Sequence, residues 1–317
     1  MLLQAAQRGD ESAFERLVRA HRRELLAHCY RMLGSLQDAE DALQETLVAA
    51  WRGLGGFRGE SSLRSWLYRI ATTRCLRVVE RRPPRLLSWE HGASRDADDE
   101  LGDAVMEPIW LEPWPTDPAE ALERRETIGL AFIAALQHLS PNQRAVLILR
   151  DVLAFSAEET AAMLDTSVAS VTSALQRARA RMGSRELELS AADWSDAQVQ
   201  AFLGAWEAAD VKTLVGMLAA DCRFTMPPLP AWFDGREAVA AFLDRRVFAT
   251  PWKLLPVVAN AQPGFACYQW NGQSFRLGAV NVLSIRDDGV GWIAAFLDPQ
   301  VLARFDVPQE ILPRAIS

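Results

Sequence analysis

Arg69, Thr73 and Arg77 recur at four-residue intervals within Arg64-Ser-Trp-Leu-Tyr-Arg-Ile-Ala-Thr-Thr-Arg-Cys-Leu76. That spacing places them on one polar face of a helix, where guanidinium groups attract phosphates. Trp66, Ile70 and Cys75 suit the core behind that face. Trp66 is read as structural, and Tyr68 fits either the core or a platform for stacked bases. A second set follows a short turn: Ser170, Thr172, Ser173 and Gln176 are small polar groups able to approach base edges, and Arg177, Arg179 and Arg181 can meet phosphates.

Other chemistry finds little support. Cys29, Cys75, Cys222 and Cys267 never form a CxxC pair, so neither structural zinc nor a disulfide framework is expected, and buried filling is. His21 and His28 stand seven apart, the chain has 4 histidines in all, and no HExxH occurs. No metal and no cofactor are expected.

The net charge of -7 hides segments of opposite sign. Residues 51–85 hold 9 arginines against 2 acids, a candidate phosphate-facing block, whereas residues 96–130 hold 11 acids against 2 arginines. With 317 residues, half of them apolar, the chain suits two or three folded units. No apolar run reaches the roughly 18–20 residues of a membrane span. No secretory signal is visible, so a cytoplasmic location and no membrane partner are expected.

The elements that must position these groups read as follows. Helical periodicity runs from Asp10 to about Arg82, with Phe14, Leu17 and Val18, then Leu25, Leu26 and Tyr30, then Leu43, Leu47, Val48 and Trp51 as apolar faces. Ser61 or Ser62 is placed to cap the basic helix, which ends before Pro83-Pro84. Residues 83–118 read as a linker carrying prolines, the acidic run Asp96-Ala-Asp-Asp-Glu100, Trp110 and Trp114. Its segment 106–115 either packs on another domain or partner or forms a local aromatic cluster.

Residues 119–185 return to helical periodicity in three or four segments. Ser140 with Gln143, and Ser156 with Glu159, form capping boxes, and Ala161, Leu164, Val168, Val171 and Leu175 are expected inside a helix-turn-helix. A plain helical packing unit with a solvated arginine face is the alternative. Beyond Ser190, a helical stretch at 196–220 precedes β-prone runs at 253–259, 265–270, 275–285 and 290–297, with Asn271-Gly272 and Asp287-Asp288-Gly289 as turns.

Taken together, the two helical blocks resemble the extracytoplasmic-function branch of the sigma-70 family of bacterial transcription initiation factors. Cys29 through Trp51 resembles region 2.1 to 2.2, and the resemblance makes Asp38, Asp41, Gln44, Glu45, Leu47 and Trp51 the candidates for binding RNA polymerase core at its β′ clamp helices. Residues 57–82 resemble regions 2.3 and 2.4, which implies −10 promoter contacts by Arg58, Ser61, Ser62, Arg64, Trp66, Arg69, Thr73 and Arg77. Residues 137–182 resemble region 4, which implies −35 contacts by Ser170, Thr172, Ser173, Gln176, Arg177, Arg179 and Arg181, with the β flap as a second polymerase partner. Glycines are usual in that branch near positions 154 and 165, where this chain has Ala154 and Asp165.

Residues 196–308 resemble the SnoaL-like, nuclear-transport-factor-2-like fold, on the strength of Phe202-Leu-Gly-Ala-Trp-Glu-Ala-Ala-Asp210, Phe224 to Gly235 and Gly291 to Asp298. The expected architecture is two all-α sigma domains, the second with a helix-turn-helix, followed by an α+β cone-shaped domain with a curved mixed sheet. Its bounds are 1–83 for region 2, 84–118 for the acidic linker, 119–187 for region 4 and 188–317 for a regulatory C-terminal domain with its tail. Met226, Trp232, Phe233, Tyr268, Trp270, Phe296 and Asp298 are candidates for a small-ligand pocket, although the stronger reading of most of these aromatics is that they complete the core. No catalytic residue is assigned.

The resemblance implies an alternative sigma factor that binds core, recognises promoter DNA and supports initiation, with the C-terminal domain modulating it. The alternative is a small-ligand-binding helix-turn-helix regulator that acts without polymerase.

Overall fold

A computed structural model describes residues 1–82, 85, 87–107, 109–116, 129–183 and 195–312. The prolines expected to end the basic helix, residues 119–128 of the second helical block and residues 184–187 lie outside the described residues. The chain divides into two compact units. One comprises Met1–Arg85 and Ile133–Glu186, the other Leu86–Phe132 and Leu187–Ser317.

The first unit is helical: α1 (Leu2–Gln7), α2 (Glu11–Leu33), α3 (Leu36–Gly53) and α4 (Leu63–Arg81) from the first segment. Local chemistry sets these limits. The Asp10 carboxylate accepts from Ala13 N at 3.0 Å and starts α2, which stops where Gly34 turns left-handed at φ 69 and donates to the Tyr30 carbonyl. Ser35 caps α3, and Ser62, the second of the two candidates, caps α4 by accepting from Ser65 N at 3.0 Å. Leu25, Tyr30, Met32, Leu67 and Tyr68 are fully enclosed among these helices. Each such Leu contributes about 1.5–3 kcal/mol relative to an exposed side chain.

After the linker come α6 (Leu130–Gln137), α7 (Pro141–Leu147), continued by a π-helical turn over Ile148–Val152, α8 (Ala157–Leu164) and α9 (Val168–Gly183). The two expected capping boxes are present at Ser140/Gln143 and Ser156/Glu159. Sequence resemblance treats the two helical blocks as separate domains, yet they fold as one compact unit. Arg144 of α7 is nearly fully buried and donates to the Met32 carbonyl of α2, and Ser65 of α4 donates to Glu159 of α8 at 3.1 Å.

The second unit contains the short linker helix α5 (Ser88–His91), then α10 (Asp196–Glu207), α11 (Val211–Met217), α12 (Arg236–Arg245) and α13 (Pro299–Leu302). Its strands are β1 (Leu218–Thr225), β2 (Trp232–Asp234), β3 (Trp252–Ala259), β4 (Gln262–Trp270), β5 (Phe275–Arg286), β6 (Gly289–Phe296) and β7 (Glu310–Ile311). Their order is β2-β1-β6-β5-β4-β3, with β7 on β5. The β1–β6 pair is parallel and the others are antiparallel, so the sheet is mixed and unclosed. Alternation divides its side chains: Phe224, Phe265, Leu283 and Ile293 join Phe202, Trp206 and Phe242 of the helices in one apolar core.

The four β-prone runs are strands, and both expected turns join them. The helical stretch expected at 196–220 is instead two helices and the start of a strand. Ala209 turns left-handed at φ 53, Asp210 caps a new helix by accepting from Thr213 N, and β1 begins at Leu218. The Leu-Ala-Ala head of β1 carries no period-two signal, which is why it reads as helix.

Candidate nucleic-acid interface

The helix-turn-helix is made by α8 and α9. Asp165 ends α8 in the left-handed conformation at φ 51 and its N–H donates to the Ala161 carbonyl, and Ser167 restarts the chain by accepting from Ser170 N at 3.1 Å. Val171, Ala174, Leu175, Ala178 and Met182 pack inward. Of the expected inward residues, Leu164 is half-buried and Val168, at the first position of α9, is exposed. Ala154 also sits at positive φ, 57. Ala154 and Asp165, the two positions at which the resemblance leads one to expect glycine, are therefore the two left-handed turns that frame α8.

The outward face of α9 carries Ser170, Thr172, Ser173, Gln176, Arg177, Arg179 and Arg181, all exposed. They are not equally free. The Ser170 hydroxyl pairs with Ser167, and Thr172 donates to the Val168 carbonyl. Arg179 makes a two-pronged ion pair with Asp151, at 2.9 and 2.7 Å, which raises its pKa and spends its charge within the protein. Ser173, Gln176 and Arg177 are exposed and carry no such tie.

On α4, Arg69, Thr73 and Arg77 form one exposed row, with Arg58 and Ser61 exposed in the loop before it. Ser62 is spent on its capping bond. Arg64 turns inward: its Nε donates to Glu24 at 3.2 Å, and its guanidinium lies 4.9 Å from the Tyr68 ring and 4.5 Å from the Phe155 ring. Trp66 packs on Phe57 with centroids 5.1 Å apart. Tyr68 is core: its hydroxyl donates to Glu24, and its ring meets His28 and Phe155 edge-on. Burial raises the Tyr68 pKa further above neutrality. Burial would raise the pKa of Glu24 as well, but bonds from His21 and Arg64 outweigh it and lower the value.

His28 lies beneath this row, fully buried, with Nε2 2.9 Å from the Thr72 hydroxyl. Thr72 already donates its own proton to the Tyr68 carbonyl, so Nε2–H must be the donor to Thr72, and Nδ1 is left without a partner. Burial, helped by nearby Arg31 and Arg64, pushes the His28 pKa down to about 3 and keeps the ring neutral.

The outward face of α3 presents Asp41, Gln44, Glu45 and Val48. Val48 is an exposed apolar residue, 49% accessible, that periodicity had counted with the core residues Leu43 and Leu47. Leu47 and Trp51 are half-buried, and Trp51 packs against Phe14 at 5.1 Å. Asp38 is buried and accepts from both Arg82 and Arg85, so it faces the protein.

The linker docks on the second unit. Asn260 N donates to the Trp114 carbonyl while its Oδ1 accepts from Trp114 N, both near 2.9 Å, and Pro115 bridges to Ala259. Thr116 N donates to Val258 O and Val105 N to Pro228 O. Arg245 pairs with Asp98, and Arg246 donates to the carbonyls of Ala97 and Asp99. Trp89 meets the rings of Trp232 and Trp292 edge-on. The acidic, tryptophan-bearing segment is thus a strap on the sheet domain. Nothing in the linker sequence identifies Asn260 as its clamp.

The seven pocket candidates do not converge. Met226 and Phe233 lie in the core beneath the helices, and Trp232 donates to the Gly92 carbonyl of the linker. Tyr268 is fully buried and Trp270 packs on Phe275. Phe296 lines a narrow cleft, whose enclosed space is about 10 Å³, with Leu87, Ser88, Trp110 and Leu111 of the linker and Thr225 and Trp292 of the sheet. Asp298 caps α13, accepting from Gln300 N at 2.8 Å. All four cysteines are free and buried. No helix among the described residues is long and apolar enough to cross a membrane, and none of their His, Cys, Asp and Glu groups could hold a metal ion.

Family models match as Sigma-70 region 2 over residues 17–83, Sigma-70 region 4 over residues 129–182 and SnoaL-like domain over residues 199–290. The chain is similar to the ECF RNA polymerase sigma factor SigG of Mycobacterium tuberculosis, 42% identical over 96% of this chain and 85% of that protein. It is also similar to the RNA polymerase sigma-H factor of Pseudomonas aeruginosa, 33% identical over 56% of this chain and 88% of that one. In fold it resembles the crystal structure of the Mycobacterium tuberculosis extracytoplasmic function sigma factor SigJ, with TM-score 0.62, 22% identity, and 91% of this chain and 98% of that chain covered.

Proposed function

The chain belongs to the extracytoplasmic-function RNA polymerase sigma factors, and from that premise we propose how its surfaces share the work of an alternative sigma factor that binds polymerase core and directs promoter recognition. The exposed face of α3, Asp41, Gln44, Glu45 and Val48, with Leu47 and Trp51 behind it, meets the β′ clamp helices. Asp38 supports that face from inside through Arg82 and Arg85. The row Arg69, Thr73 and Arg77, with Arg58 and Ser61, takes the −10 element, and Ser62, Arg64 and Trp66 hold its scaffold.

On α9, Arg177 meets −35 phosphates, Ser173 and Gln176 reach base edges, and Ser170, Thr172 and Arg181 flank them. Arg179 joins only by exchanging Asp151 for phosphate. The block also docks on the β flap. Phosphodiester chemistry is left to the polymerase, in the cytoplasm where core is found, and no reaction is assigned to this chain.

The C-terminal domain modulates activity through the strap it holds. The linker joins the two DNA-reading blocks, and its pairing with Val258, Asn260 and Pro228 fixes its path. A small apolar ligand entering the cleft at Phe296 would compete with Trp110 and Leu111 of the strap.

The observation that carries this proposal is the contrast between tied and untied groups. Asp38, Arg64 and Arg179 are engaged in ion pairs within the protein, while Arg69 and Arg77 of α4 and Ser173, Gln176 and Arg177 of α9 stay exposed with no such pair among the described residues. Co-purification with core polymerase tests it. Wild-type chain is expected to associate, and the double substitution Asp41→Lys, Glu45→Lys to weaken association at least about tenfold, the order of 1.4 kcal/mol. Duplex binding without any association with core would favour a polymerase-independent regulator instead.

A further inference from the structure

A second cluster of charged groups gathers at the C-terminal end of α4. Leu33, Asp38, Val78, Val79, Arg82, Arg85, Gln137 and Arg144 line a cleft of about 260 Å³, counting its open mouth. Its walls come from α2, α3 and the end of α4 on one side and from α6 and α7 on the other. Arg82, Arg85 and Arg144 line it together with the carboxylate of Asp38, which accepts from Arg82 and Arg85 but not from Arg144.

Arg144 is the unusual member. It is 98% buried, and among the described residues its bonds go to neutral oxygens: the carbonyls of Met32, Gln137 and Leu139 and the Oε1 of Gln137 at 2.6 Å. Its Nε–H has no acceptor. Burial lowers its pKa to about 10, so at neutral pH it is still a cation, and no carboxylate among the described residues bonds to it. A buried cation of this kind is costly unless an anion joins it. Arg82, about half exposed, stands at the solvent side of the same cleft.

We propose that this cleft is a binding site for a compact phosphate group, either free phosphate or the monoester of a small nucleotide, with Arg82 and Arg144 as its cationic walls. Phosphate suits it because guanidinium forks match tetrahedral oxygens and supply several charge-assisted bonds. The bound anion would tie α4 to α7, beside the existing Arg144–Met32 bond. The site stands on this charge arrangement and not on the transcriptional role, and its test reads anion binding alone.

Thermal unfolding of the full chain in inorganic phosphate, against sodium chloride of equal ionic strength, is the experiment. A saturable Tm rise of roughly 2–4 °C is expected in phosphate. Arg82→Gln should shift the half-saturating concentration upward at least about tenfold, Arg82→Lys should restore part of the response, and Arg16→Gln, an exposed arginine of α2 far along the sequence from the cleft, should leave it unchanged. Adenosine monophosphate in a parallel series separates the sources: action at lower concentration than phosphate identifies a monoester, and action at equal or higher concentration identifies free phosphate. No rise beyond the chloride control, or an equal loss in Arg16→Gln, overturns the proposal.

Discussion

Ala154 carries a left-handed backbone, φ 57, at a position where only glycine is free of the steric cost. Ala154→Gly should therefore stabilise the chain by about 1 kcal/mol in denaturant unfolding, and Asp165→Gly by less, because aspartate tolerates this conformation better. His28 makes a separate prediction. Its folded pKa of about 3 lies below its ordinary value of 6.5, so the unfolded chain takes up a proton that the folded chain refuses as pH falls. Stability is then complete above pH 6.5 and declines toward pH 3 by about 1.4 kcal/mol per pH unit. Urea titrations at pH 7 and 5 should show this slope, and His28→Asn should remove it. At the DNA surface, Arg177→Ala is expected to weaken duplex binding across all sequences and to reduce the salt slope by about 1, whereas Ser173 or Gln176 substitutions should change promoter preference. Equal salt slopes for wild type and Arg177→Ala would remove that phosphate contact.

At the scale of the element, α3 separates two kinds of acid that look alike in sequence. Asp41 and Glu45 face outward, and Asp38 closes an internal pair of ion bridges. Asp38→Asn should thus destabilise the fold by about 2 kcal/mol, because it weakens the charge-assisted bonds that Arg82 and Arg85 both make to this carboxylate, while Asp41→Lys leaves unfolding unchanged within about 0.5 kcal/mol and weakens core association. Denaturant midpoints alongside core pull-downs distinguish the two. Sequence periodicity located α2, α3, α4, α9 and the four long strands, because capping residues and alternation are local signals. It missed β1, whose alanines carry no period. It also missed the inward turn of Arg64 and the surface ion pair of Arg179, since Glu24 and Asp151 are their partners only after folding.

At the scale of the molecule, the opposite charges of the chain sort into different units: the arginine block lies in the helical unit, and the acidic strap folds with the sheet. The tryptophans of the strap left docking and a local aromatic cluster both open in the sequence, and its acceptor, Asn260, could not be read because the pair is separated by 146 residues. Removing the sheet domain after residue 183 should leave Leu87, Trp110 and Leu111 without their covering surface. Limited proteolysis is then expected to cut at Arg95 in the truncated chain faster than in the full one. Unchanged cutting would contradict the docked strap.

The most direct measurement is transcription in vitro with purified core polymerase on genomic promoter fragments. The full chain should support promoter-specific initiation that depends on core and falls when Arg69 and Arg77 are both replaced by alanine. Absence of promoter-specific initiation from both the full chain and the chain lacking its C-terminal domain would contradict the assignment of these surfaces to a sigma factor.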